Sequence, residues 1–150
     1  MNTPSERDFY VDLIEEDAKM NRNALVSSDE VAHEHDQLAH MTYQTVVRNK
    51  HQEFEEAMSL LVMELLKWKF LKERRANSLK RIIKKHRIKI PEMLDAFPSL
   101  EMHLFDVIWL ERVWKTAVLL LEHVTQLRNF FPEKPLWTIG EIIDMHFFPD

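Results

Sequence analysis

A single glycine, Gly140, in a chain of 150 residues constrains the fold more than any other feature of this sequence. Sheets and hairpins place glycine at turns that need positive φ, because the missing Cβ removes the steric penalty there. A chain with one glycine can supply few such turns. The same shortage excludes phosphate-cradling loops built from several glycines, and with them P-loop and Rossmann nucleotide chemistry. The chain also has no cysteine, which rules out disulfides, thiolate metal sites and a cysteine nucleophile. What remains is rich in residues of good helix propensity. The expected fold class is all-α: a single-domain antiparallel helical bundle of four to five helices over residues 1–150, with one or two long core helices and an irregular C-terminal tail.

Apolar spacing places the elements. A first helix is expected over residues 5–22, with Phe9, Tyr10, Leu13 and Ile14 on one side. Ser27 followed by Glu30 fits a capping box, so a second helix begins near Ser28. No proline or glycine then appears until Pro91, which allows one very long helix or two joined by a kink. The spacing is weak over residues 44–50 and then sharp: Phe54, Met58, Leu61, Leu65 and Trp68 step by four, three, four and three. A further helix starts after residues 75–78, with Leu79, Ile82, Ile83, His86 and Ile90 facing inward, and Pro91 opens another short helical piece. From Ser99 a second core helix carries Val107, Leu110, Trp114, Ala117, Leu121 and Val124. Residues 1–4 and 130–150 are expected to be irregular, except for a short helix near 139–144 capped by Thr138. The polar start and the lack of a long apolar run point to a soluble, cytoplasmic protein without a membrane span.

Three stretches are familiar. "LLVMELLKWKFLKERRANSLKRII", "FFPEKPLWTIGEIIDMHFFPD" and "RDFYVDLIEEDAKMNRN" resemble the Domain of Unknown Function 29 family, helical bacterial proteins numerous in cyanobacteria. The family pattern of leucines, Lys-Trp, a basic pair and a serine falls on Leu65, Leu66, Lys67, Trp68, Arg74, Arg75 and Ser78. Leu71-Lys72 and Leu79 depart from it, where the family often has Gln-Pro and tryptophan. The resemblance implies a compact α-helical domain and no established activity.

Functional candidates come from charge, histidines and tryptophans. Residues 67–90 hold 11 basic side chains and one acidic, in a chain whose net charge is −5. Either this basic run is matched internally, by Glu53, Glu55 and Glu56 or by Glu15, Glu16 and Asp17, or it is a surface for phosphates or an acidic partner. Lys80, Arg81, Lys84, Lys85, Arg87 and Lys89 would make those contacts. Glu30-x-x-His33, with Asp36 and His40 a turn or two further on, has spacing suited to a metal on one helix face. A mononuclear alternative draws on His33, His35, His40 and His51 with Glu34 or Asp36. A di-iron bundle needs the Glu-x-x-His motif twice, and no second copy occurs. Of the four tryptophans, Trp68 and Trp114 fall on apolar stripes. Trp109 and Trp137 lie off them and, with Leu119, are expected at an interface or homodimer contact. The reading is a non-enzymatic helical interaction module, needing no cofactor, that acts through a protein-protein surface. The alternatives are a nucleic-acid-binding protein using residues 67–90 and a metal-dependent enzyme using the cluster at 30–40.

Overall fold

The computed structural model describes residues 28–150, with side chains from residue 32 onward. The expected helix over residues 5–22, its acidic side chains and the cap at Ser27 lie outside the described residues. Among those described there are helices and no strands, and the chain is an all-α helical bundle.

The first part of the long proline-free stretch forms one continuous helix, and the chain breaks only after Phe70. Helix α1 runs unbroken over Ser28–Phe70, 43 residues, or about 65 Å at 1.5 Å per residue. Its two halves differ. No side chain from residue 32 to residue 53 is buried, and this includes residues 44–50, where the apolar spacing is weak. From Phe54 the helix enters the core: Phe54, Met58, Leu61 and Leu65 are fully buried, and Trp68 continues the stripe half-buried. The helix ends where Leu71 leaves α geometry at φ −112° and ψ 68°, and a 3-10 turn, Lys72–Arg74, follows. Arg75 Nε then reaches back and donates to the Trp68 carbonyl at 2.6 Å, satisfying one of the carbonyls that a helix end leaves open.

Helix α2, Asn77–Ala96, runs through Pro91, contrary to the expected restart there. Pro91 has no N–H to give the Arg87 carbonyl one turn back, a local loss that the flanking turns absorb. The inward stripe is Leu79, Ile83, Arg87 and Ile90. Ile82, expected inside, is exposed, and His86 is half-buried. A 3-10 helix, Pro98–Phe105, then occupies the stretch expected to begin the second core helix.

That helix, α3, spans Val107–Thr125. Its cap is Asp106, whose carboxylate accepts from the Trp109 N–H at 3.1 Å. Leu110, Trp114, Ala117 and Leu121 are buried as the spacing predicts. The same face widens to take in Trp109, Val113 and Val118, while Val107 and Val124 at its two ends are exposed. After α3 the chain turns at Gln126, φ 61°, and Asn129, φ 57°. Residues 130–138 have no regular structure yet bury Phe131 and Trp137. Trp114 Nε1 donates to the Pro132 carbonyl at 2.8 Å, and the Trp114 and Trp137 rings meet edge to face at 5.1 Å. A short helix α4, Ile139–Ile143, begins with a capping box in which Thr138 and Glu141 satisfy each other's backbone N–H. Gly140 sits inside it without positive φ, and a Cβ there would meet only Thr138 Oγ1 at 3.8 Å. The lone glycine therefore occupies a position that does not require one.

Both α2 and α3 pack on the C-terminal half of α1, and the 3-10 helix bridges α2 and α4. The core should respond accordingly. Leu65→Ala is expected to lower unfolding free energy by about 2–5 kcal/mol in urea denaturation, whereas Leu38→Ala, on the exposed half of α1, should change it by less than about 0.5 kcal/mol.

Candidate interaction surfaces

The basic run has two fates, and only one of them is an ion pair. Lys67 lies 3.3 Å from Glu64 one turn earlier on α1. Of the expected acidic counterparts, Glu53 pairs with Lys50 and Glu55 with Arg112 of α3. Glu56 has no ion-pair partner among the described residues, and Glu15, Glu16 and Asp17 lie outside the described residues. The C-terminal tail takes up other cations through its carbonyls and rings. Lys69 Nζ donates to the Asp150 carbonyl at 3.3 Å and Arg75 Nη2 to that of Pro149 at 3.4 Å. Phe148 lies 5.2 Å from Trp68, with the Lys80 ammonium and the Arg87 guanidinium each 5.2 Å from its centroid. Such cation–ring contacts stabilise by about 0.5–2 kcal/mol each, depending on desolvation.

Arg87 departs from its expected role. Named among the surface contacts, it is 1% exposed, because it falls on the apolar stripe of α2 and not on the basic faces. Its Nε donates to the Ile142 carbonyl at 2.8 Å, while Nη1 and Nη2 meet no acceptor among the described residues. Burial lowers its pKa to about 10 and Asp144 pulls it back up, so Arg87 stays charged at neutral pH. The remaining cations, Arg81, Lys84, Lys85 and Lys89, are exposed, as is Lys80. Among the described residues no carboxylate lies within ion-pair distance of these five. Asn77, Lys80, Arg81 and Lys84 line an open depression of about 470 Å³ on α2.

The histidines of α1 are spread along its exposed half. His33 and His40 are each hydrogen-bonded one turn along α1, to Gln37 at 3.3 Å and Gln44 at 3.0 Å. Asp36 is exposed on the same helix, and the Glu30 side chain lies outside those described. Among the described residues no three His, Cys, Asp or Glu side chains are grouped to hold a metal ion. His51 meets a different histidine, His103 of the 3-10 helix, with Nδ1 and Nε2 2.6 Å apart. One of the two nitrogens must carry the shared proton. The His103 ring is stacked on Trp109 at 4.8 Å, and Trp109 on Phe54 at 5.5 Å. Nothing in the spacing of residues 52 apart signals this pair. It also explains why Trp109, expected at an interface, is buried: its ring closes the stack between α1 and the 3-10 helix. Trp137 is buried against Trp114. Of the three expected interface residues only Leu119 is exposed, and with Val118 and five charged side chains it lines a cleft of about 470 Å³ beside α3.

The profile of the family described as Domain of unknown function DUF29 matches residues 43–148. The chain belongs to that family. The opening stretch at residues 7–23 and the first part of α1 fall outside the match. No curated protein and no solved structure matches the chain.

Three side chains, His103, His86 and Arg87, give measurable consequences. Burial, reinforced by His51 and Arg112 and opposed by Asp106 and Glu55, holds His103 below its ordinary pKa of 6.5. Burial likewise lowers His86, opposed by Glu64 and reinforced by Lys89, Lys85 and Lys67. Below about pH 6.5 the unfolded chain binds protons more readily at both sites, so stability falls as the pH drops from 6.5 through the lowered folded values. Urea midpoints between pH 7.5 and 5 should show that fall, reduced but not abolished in His103→Phe, which keeps the stack on Trp109. For Arg87, the same denaturation assay at pH 7 should find Arg87→Met within about 1 kcal/mol of wild type, since it removes a buried charge and keeps the apolar stem. Arg87→Ala should lose about 2–4 kcal/mol through the cavity it leaves.

Proposed function

We propose that this DUF29-family chain is a helical interaction module, non-enzymatic, whose working surface is the apolar strip where the 3-10 helix meets α3, and that its first partner is a second copy of itself. The observation that carries this reading is the exposure of four large apolar side chains within seven residues: Met102 66%, Phe105 88%, Val107 69% and Ile108 75%. Single exposed hydrophobics are ordinary, whereas a group of them marks a contact surface. The stack of Phe54, His103 and Trp109 fixes the backbone beneath the strip.

The strip continues along α3. Leu119 lies three turns beyond Ile108 on the same face, with Glu111 and Lys115 between them. An antiparallel α3 pairing centred near residue 113 would set Glu111 against the partner's Lys115 and Val107 against the partner's Leu119. The surface is thus self-complementary in both charge and apolarity, as a two-fold contact requires.

Sedimentation velocity across about 1–100 μM, a range that spans weak to moderate dimer affinity, tests it. The wild type should show a concentration-dependent dimer and Leu119→Asp a monomer with unchanged circular dichroism. Lys115→Glu should weaken the dimer, and Glu111→Lys combined with Lys115→Glu should restore it. A wild-type monomer at every concentration, or a dimer indifferent to all these changes, overturns the reading.

A further inference from the structure

We infer that the outer face of α2 is a binding surface for the phosphate backbone of duplex nucleic acid, independent of the α3 strip. The argument begins with what the fold leaves over. The cations nearest the tail are used within the chain: Lys69 and Arg75 by carbonyls, Lys80 by the Phe148 ring, Arg87 by burial. Lys84, Lys85 and Lys89 are exposed without a carboxylate at ion-pair distance among the described residues, as is Arg81, whose Nε donates to the Asn77 carbonyl of its own helix at 3.4 Å. Like charges on one helix with no ion-paired counter-charge among the described residues repel one another and destabilise it. A surface that keeps them has its favourable state in complex with an anion.

Their placement says which anion. Arg81, Lys85 and Lys89 follow one another at intervals of four residues, about 6 Å along the axis each, with Lys84 beside them. This is an extended row, and beside it the depression of Asn77, Lys80, Arg81 and Lys84 is open and not enclosed. A row of point charges fits a repeating polyanion better than one small phosphate. The aromatic ring that meets cations of α2, Phe148, is half-buried and already lies against Lys80, Arg87 and Trp68. Single-strand binders stack bases on exposed rings, which this face does not offer. Lysines on a helix surface without a base-reading motif contact backbone phosphates and position the protein without reading sequence. The acidic remainder of the chain limits contact to this face, since the net charge of −5 opposes approach elsewhere.

Fluorescence anisotropy with labelled duplexes of about two helical turns, long enough to span the face, gives the test. Duplex DNA and duplex RNA are measured beside a single strand, inorganic polyphosphate and polyglutamate as competitors. The protein is the full chain, either wild type, Lys84→Glu/Lys85→Glu, or Arg48→Glu/Arg128→Glu, which changes the net charge equally away from α2. Leu119→Asp is included to separate this surface from the dimer contact. We expect duplex binding that weakens steeply with salt, a loss of at least tenfold in the Lys84/Lys85 variant, and a log–log salt slope shallower by about two. The Arg48/Arg128 and Leu119 variants should keep most of the affinity. Absence of duplex binding at low salt overturns the inference, as do equal losses in the two charge-reversal variants. Single strands, polyphosphate or polyglutamate binding more tightly than duplex also overturn it, the last by pointing to an acidic protein.

Discussion

Six consecutive residues of α1, Leu61 to Leu66, are buried, and a helix enclosed on every face must be covered on every face. A helix on the surface shows one apolar stripe and one polar side. This segment shows neither, and even Glu64 within it is buried, with Lys67 beside it. The other described elements answer that demand. Helices α2 and α3 cover two sides, and α4 with the tail closes the end near Trp68. Each buried large apolar side chain stabilises by roughly 1.5–3 kcal/mol relative to exposure, so the enclosure of this one segment directs the packing of the rest.

The tail shows how irregular chain can be held in place. Residues 130–138 and 144–150 form no helix, and their order comes from side chains of other elements. Trp114, Arg75 and Lys69 donate to three carbonyls of this stretch, at Pro132, Pro149 and Asp150, and Arg87 donates to the Ile142 carbonyl of α4 between its two parts. The phenylalanines fill the spaces between, Phe131 against Phe70 and Phe148 against Trp68. Cations of the basic run thus serve the fold by meeting backbone oxygens and ring faces, chemistry that a tally of charges does not reveal.

The regular elements could be read from residue spacing, and the long-range contacts could not. Phe54, Met58, Leu61 and Leu65 announce their helix because a repeat of four and three has one physical meaning. Thr138 and Glu141 announce theirs because the capping box is local. Arg87 carries the charge of a surface residue at a core position, since the step from Ile83 to Arg87 to Ile90 continues the apolar stripe. What permits it inside is the Ile142 carbonyl, 55 residues away. Trp109 and the His51–His103 pair follow the same logic: their partners lie on elements whose relative placement no local pattern encodes. Val107 and Val124 failed in the other direction, since an apolar residue at a helix end can run past the edge of the core it points along.

The exposed half of α1 has a mechanical meaning. From Ala32, the first residue whose side chain is described, to Val46, where partly buried side chains begin to pack on the core, is about 21 Å of continuous helix at 1.5 Å per residue. A helix clamped firmly at one end is a lever, and a pivot of about 10° at Val46 sweeps Ala32 through about 4 Å on this geometry. Small adjustments where the core and His103 grip the base of the rod would arrive at Ala32 magnified, so the stiffness of that joint sets how sharply the arm can be aimed.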